Sequence, residues 1–432
     1  MRLRLPAFCT AVLAYGVLGH PLLAMAQVDQ QRAQEYFKEA QALCERDGGR
    51  LWGVSICAPM VIGDARTKTF ATSQPPPDAP RSNLIGLLNG PILWGDTMWA
   101  ALSWDTVANW PAQTRAEVFL HESFHIVQRS KGIASPDKRR LRPDVKTENE
   151  HLDAVDGRYW LRLEWRALAR ALRESGEPRA QAVRDALAFR QARHTRYPEH
   201  VVSEYFLDMD EGLASYTGTV LAAPSAAAAI ERALELVTTA EDGDSFVRTF
   251  SYNSGPAYGI LLDAASPGWP RKMGVSDEPA VLLMRALAIQ PAADADAAAA
   301  RYGGPELRAS EEQREQKRQA RLAELRRRFV DGPVLVIPSG GSGMTDSHGA
   351  VVIPDAGTVY FNAYRFKGPW GELEADKGVL VASDGGVKRV PAPVPGDGAM
   401  ISGDGWTLKV APGWMVREGA RKGDYEIVRG QP

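Results

Sequence analysis

His121-Glu122-Ser123-Phe124-His125 decides how the chain is read. On an α-helix, positions i and i+4 lie one turn apart on the same face. Two imidazoles set that way can both reach one Zn²⁺ at about 2.0–2.1 Å. Glu122, beside the first histidine, is placed to reach a water rather than the metal. Five residues thus offer two ligands and a general base. An ordinary helix with two polar residues on its exposed side is the plain alternative, so the flanks matter. Thr114-Arg115-Ala116-Glu117 reads as a capping box that starts a helix at Thr114. Ala116, Phe119, Leu120, Ile126 and Val127 recur at roughly helical spacing. Gly132, after Arg129 and Lys131, is a stop signal. The histidines therefore fall in mid-helix among apolar neighbours.

Outward from this helix, the spacing predicts a helix over 28–47 and a strand from Leu51 to Ile62. Two more strands are predicted near Asn89–Trp94 and Thr97–Val107, with Gly95-Asp96 as turn material. A small sheet thus directly precedes the histidine helix. Downstream, helices are predicted at 147–174, 179–195, Ser203 to Leu221, 224–238, 255–265 and 278–289. Residues 305–332 are mostly charged and read as a solvated connector helix with i,i+4 pairs. After Gly332-Pro333, Gly and Pro punctuate short β-rich runs, and Trp406, Leu408 and Val410 alternate with Thr407 and Lys409. This predicts a small antiparallel β domain at 333–432.

A catalytic zinc site usually has three protein ligands and one open position. His151, His194 and His200 are available, but none stands at the close downstream spacing that a third histidine ligand would need. A carboxylate is the better candidate. Glu204, Asp208 and Glu211 fall at i, i+4 and i+7, so three acids share one predicted helix face and invite a cation. Small residues one turn beyond Glu211 let it pack close to the histidine helix. Glu164, set among bulky apolar residues, is the rival; Arg162 or Arg166 would be its partner if it is structural. Asp208 or Asp153 can orient the ligand histidines from behind. Tyr252 and Tyr258 are candidates to donate a hydrogen bond to a developing oxyanion.

The pentapeptide, with Glu211 in a Glu-Gly-x-Ala-x-Tyr segment on a later helix, resembles the gluzincin metallopeptidases. The resemblance spans about residues 85–260, and its specific part is the pentapeptide. It implies zinc bound by His121, His125 and Glu211, with Glu122 activating water for peptide hydrolysis. The expected fold class is α+β: a mainly helical zincin-like domain over 27–304 behind a small β-sheet, then the C-terminal all-β domain. The chain departs from thermolysin-like spacing, because 86 residues separate His125 from Glu211 (211 − 125). Helices at 147–195 would be inserted between the two metal-binding helices.

The 432 residues are enough for two or three domains, and the 44% hydrophobic content supports a sizeable core. A net charge of −2 without a basic stripe leaves no electrostatic footprint for nucleic acid. Arg2 and Arg4, the apolar run from Ala7 to Leu18 and Ala24-Met25-Ala26 read as a signal peptide over 1–26, cleaved after Ala26. A secreted or periplasmic protein without a stable membrane anchor is expected. Cys9 would leave with the signal; Cys44 and Cys57 would remain as a disulfide pair. The expected partner is a peptide or protein substrate. Two other functions share these residues: a cell-envelope binding or structural module with a non-catalytic zinc site, and a zinc hydrolase of a non-peptide amide or ester. The partner of the β domain is not indicated.

Overall fold

The computed structural model describes residues 27–133, 148–274, 276–344, 350–361, 364–383, 386–394 and 400–430. The signal segment expected over 1–26, with Cys9, lies outside them. The chain forms two compact units that divide between Pro305 and Glu306, and the fold is α+β.

The first unit opens with α1 (Gln30–Asp47), capped by the Asp29 carboxylate on the Arg32 amide and closed by left-handed Gly48. Four short strands follow: β1 (Met60–Asp64), β2 (Thr69–Thr72), β3 (Gly90–Trp94) and β4 (Thr97–Ser103). They pair in the order β2-β1-β4-β3, with β1 and β4 parallel and the outer pairs antiparallel. Alternation along β1 and β4 feeds two cores. Met60, Ile62, Ala100 and Leu102 pack with Tyr36 and Phe37 of α1 and with Phe119. Val61, Trp99 and Ala101 pack with Ile85, Ile92 and Trp94 on the other face.

Three boundaries differ from the sequence expectation. The predicted Leu51–Ile62 strand shrinks to β1, because Gly49 and Gly53 take positive φ and Trp52 turns inward onto Phe124, Tyr216 and Trp269. The Thr97–Val107 strand stops at Ser103 and becomes one helical turn, α2 (Trp104–Val107). The histidine helix α3 (Ala112–Ser130) begins behind Pro111, not at Thr114. Proline fixes its own φ and suits the start of a helix, so it outcompetes the capping box. Cys44 and Cys57 form a disulfide that ties the end of α1 to the approach of β1.

The helical layer comprises α4 (Val155–Arg173), α5 (Gly176–Arg196), α6 (Val201–Leu207), α7 (Leu213–Ala222), α8 (Ala226–Thr239) and α9 (Phe250–Ala265). Shorter helices α10 (Trp269–Lys272), α11 (Pro279–Ala286) and α12 (Ala295–Ala299) complete it. A π-helical turn, Asp208–Gly212, interrupts what the sequence reads as one helix from Ser203 to Leu221. Two glycines set how closely helices approach. A Cβ on Gly218 would lie 2.4 Å from the Glu117 carbonyl of α3, and one on Gly255 would lie 2.2 Å from the Gly212 carbonyl. Helices α7 and α9 therefore press directly on α3 and on the π turn.

A buried charge network locks this layer. Arg193 of α5, fully buried, donates to Glu164 of α4 at 2.6 Å and to both carboxylate oxygens of Glu204 of α6 at 2.9 and 2.8 Å. His151 and His194 also reach Glu204, at 2.7 and 3.0 Å. Tyr258 donates to Glu164 at 2.7 Å. Arg190 bonds Asp208 and Glu278.

The second unit, from Glu306, carries most of helix α13 (Gly304–Arg326), a five-stranded sheet and a seven-stranded sheet. Leu335, Ile337, Val379 and Val390 of one sheet meet Leu373, Trp406 and Leu408 of the other in a shared core. Nearly all pairings are antiparallel; Tyr425–Arg429 against Val334–Ile337 is parallel. The charged helix is less free than expected. Its outer face holds pairs such as Glu315 with Arg318, but Leu325, and Phe329 just beyond the helix, are fully buried against Ile353, Val359 and Leu380.

Removing Arg193 should leave two buried carboxylates without their cation. We expect Arg193→Leu to lower unfolding stability by about 3–5 kcal/mol in denaturant melts. Burial alone would raise the Glu204 pKa, but Arg193 and the two histidines outweigh it and hold it well below 4.5. A depressed carboxylate stabilises above its unfolded value and loses that stabilisation as pH falls through its folded value. The stability gap between the native protein and Arg193→Leu should therefore be widest at neutral pH and narrow as pH falls, beginning where the carboxylates left buried in the variant take up protons.

Candidate metal centre and its cleft

Helix α3 presents Glu117, His121, His125 and Arg129 at four-residue spacing, so they form one row along its face. Across from this row stands the π turn with Glu211. The Glu211 Oε2 atom lies 3.0 Å from His121 Nε2 and 3.4 Å from His125 Nε2, and the two Nε2 atoms are 3.0 Å apart. Three donor atoms from two elements thus converge on one point. Ligands about 2.0–2.2 Å from a tetrahedral zinc stand about 3.3–3.5 Å from one another, so the triangle fits such an ion closely. A His₂Glu donor set is also the type that binds zinc with an open position.

The π turn explains why Glu211 reaches the histidines alone. The sequence places Glu204, Asp208 and Glu211 on one face to share a cation, but the structure sends them to three destinations. Glu204 goes to Arg193. Asp208 goes to Arg190 and to Ser251, whose hydroxyl donates at 2.7 Å. One residue inserted into a helix rotates the residues beyond it by about 100°. Glu211 is thereby swung out of the Asp208 row and onto α3.

His125 is oriented by Gln128, which is fully buried one turn beyond it. The Gln128 Nε2 donates to the carbonyls of Met209 and Asp210 at 2.8 and 2.9 Å. That fixes the amide so that Oε1 faces His125 Nδ1 at 2.7 Å. An amide oxygen can only accept, so Nδ1 carries a proton and Nε2 is the nitrogen that faces the convergence point, where a cation would displace any proton it holds. One side chain therefore sets a histidine tautomer and holds the turn that supplies the carboxylate. Asp208 and Asp153, expected in this role, are engaged elsewhere. Asp153 accepts from the Phe246 amide at 3.0 Å and from the Ser245 hydroxyl at 2.7 Å.

Glu122 is buried and has no hydrogen-bond partner among the described residues. Burial pushes its carboxyl up to about 7. Burial lowers both histidines, but the hydrogen bond and charge of Glu211 reverse this at His125 and lift it to about 9; Glu211 itself is held far below the usual carboxylate range. Tyr252 stacks parallel to His121, with ring centroids 5.5 Å apart and planes 7° apart, and its hydroxyl feels the charge of Glu211. Burial, with Glu211 and Glu122 nearby, keeps that hydroxyl protonated well beyond its ordinary range.

Other candidates lie apart from this cluster. Tyr258 is buried and gives its hydroxyl to Glu164, so it does not line the cleft. Glu164, the rival third ligand, is fully buried between Arg193 and Tyr258, while Arg162 and Arg166 serve Glu241 instead. His151 and His194 bind Glu204, and His200 Nδ1 donates to the Glu148 carbonyl at 2.9 Å. Strand β4 is central in its sheet; its Trp99 is core, as is Trp104 just beyond it. The edge is β3.

A cleft of about 560 Å³ opens over the histidines. Asn89, Gly90 and Pro91 at the start of β3 form part of its wall, and Glu122, Glu211 and Tyr252 face into it. The ligand atoms of His121, Glu122 and His125 also lie within 4.8 Å of one another, so the Glu122 carboxylate stands beside the two imidazoles. Comparison of the chain with protein-family models, curated proteins and solved structures gives no match.

Gln128 escaped the sequence reading because nothing in its local pattern separates it from a surface glutamine. The usable signal was its place three residues after a ligand histidine. We expect Gln128→Leu to weaken binding of added zinc about 10–100-fold, read by competition with a chromogenic chelator. Unchanged zinc affinity in a folded Gln128→Leu protein would remove its positioning role.

Proposed function

We propose that the protein is an exported zinc-dependent metallopeptidase. The observation that carries this reading is the convergence of His121, His125 and Glu211 beside an unpaired Glu122, at the floor of an open cleft. Zinc held there would supply a Lewis acid and lower the pKa of water towards about 7. Glu122 takes the proton of the attacking water at its carboxylate and returns it to the leaving amine. Gln128 holds His125 in the ligating tautomer while this occurs. Tyr252 turns its hydroxyl towards the substrate carbonyl and donates to the oxygen on which charge develops. The β3 edge offers unpaired backbone groups along one wall, and an extended peptide can hydrogen-bond to them as an added strand. The disulfide agrees with an oxidising compartment, and no described helix is long and apolar enough to cross a membrane.

Metal analysis of the purified mature protein should give about one zinc per chain, and His125→Ala should lose it. Glu122→Gln should keep the metal and lose about 10²–10⁴-fold in chelator-sensitive peptide cleavage. Tyr252→Phe should lower kcat with KM little changed. Full hydrolysis by Glu122→Gln would eliminate the assigned base.

A further inference from the structure

Besides the metal-binding row, the cleft wall carries three arginines: Arg129, Arg232 and Arg248. Their situations differ. Arg232 of α8 is engaged, since Nε and Nη2 both bond the Glu117 carboxylate at 3.0–3.1 Å and Nη1 bonds Glu235 at 2.7 Å. Arg129 stands one turn beyond His125, where its charge acts on Asp210. Arg248 is exposed, two residues before α9, and among the described residues no carboxylate lies within ion-pair distance of it. Its charge is felt at the Tyr252 hydroxyl, so it flanks the place where that tyrosine meets the candidate metal centre.

Each acid of the cleft has its own use. Glu117 is neutralised by Arg232, Glu211 meets the histidines, Asp210 lies near His125 and Arg129, and Glu122 is the unpaired buried carboxylate. Arg129 and Arg248 are the two cleft cations without a carboxylate at ion-pair distance among the described residues, and Arg248 is the one whose charge reaches the Tyr252 hydroxyl. A planar guanidinium binds carboxylates in two-point fashion, and the walls of a cleft strengthen such a pair relative to open water.

We infer that Arg248 is a specificity residue that selects substrates bearing a carboxylate close to the scissile bond. This rests on the proposed hydrolytic site and narrows its substrate class to acidic peptides. The same preference should exclude peptides that place Lys or Arg at that position. The carboxylate can come from an Asp or Glu side chain or from the free C-terminus of the substrate. An exposed pair of this kind is screened by salt, so the preference should shrink as ionic strength rises.

The test separates binding from chemistry. Fluorescent decapeptides carry one Glu, one Lys or neither, each as free acid and as C-terminal amide. Their binding to full-length mature Glu122→Gln protein loaded with zinc is read by anisotropy. We expect carboxylate-bearing probes to bind about tenfold tighter than Lys probes. Adding Arg248→Glu should invert that order, and Arg248→Lys should retain it. A preference that survives amidation assigns the side-chain carboxylate; one abolished by amidation assigns the C-terminus. Equal binding of all probes, absence of binding, or an order unmoved by Arg248→Glu overturns the inference. Cleavage of the same peptides by the unsubstituted protein, with and without chelator, is scored separately. Selective binding without chelator-sensitive cleavage would keep Arg248 and discard the peptidase reading; cleavage without charge preference would do the reverse.

Discussion

The first unit depends on how closely α3 and the π turn are drawn together. His121, His125 and Glu211 can converge only if the π turn comes close to α3, and nothing local to either segment enforces that. Backbone-to-backbone contact at Gly218 and Gly255 brings the helices in, because any side chain there would hold them apart. Gln128 then bridges the remaining gap with hydrogen bonds to both segments. Sheet, disulfide and helical layer act as the frame that keeps this approach fixed.

Behind the site, the charged groups divide their work by depth. The deepest acids, Glu164 and Glu204, share Arg193, with Arg190 and Tyr258 also at Glu164 and two histidines at Glu204, and together these contacts hold α4, α5 and α6 in register. Nearer the cleft compensation is uneven, since Glu117 is paired with Arg232. Glu122 has no protein partner among the described residues and is therefore ready for a substrate or a proton. A buried acid without a partner is costly, and a folded protein tolerates one where binding or chemistry repays the destabilisation.

Much of this was legible in the chain, and the limits have physical causes. The pentapeptide, the order of sheet and helices and the β-rich C-terminus all express local periodicity. The disulfide followed from two cysteines left after Cys9. Glu211 was also named, but for a reason that did not hold: helical spacing grouped it with Glu204 and Asp208, and the π insertion separated them. Residue spacing cannot reveal an extra residue in a turn whose stability comes from a distant glutamine. The same blindness to tertiary contact hid Gln128 and made Tyr258 look equivalent to Tyr252. Arg248 carried no signal at all, since its meaning lies in having no neighbour of opposite charge.

The π turn has one more implication. Wide turns bond their own backbone poorly, and here the carbonyls of Met209 and Asp210 are taken up by the side chain that also fixes His125. Loosening either segment therefore releases the other. The donor atoms already stand at close quarters, so an arriving cation would need little rearrangement of its hosts. A cage assembled in advance favours tight capture and slow escape, and it leaves the adaptable part of recognition to the outer rim.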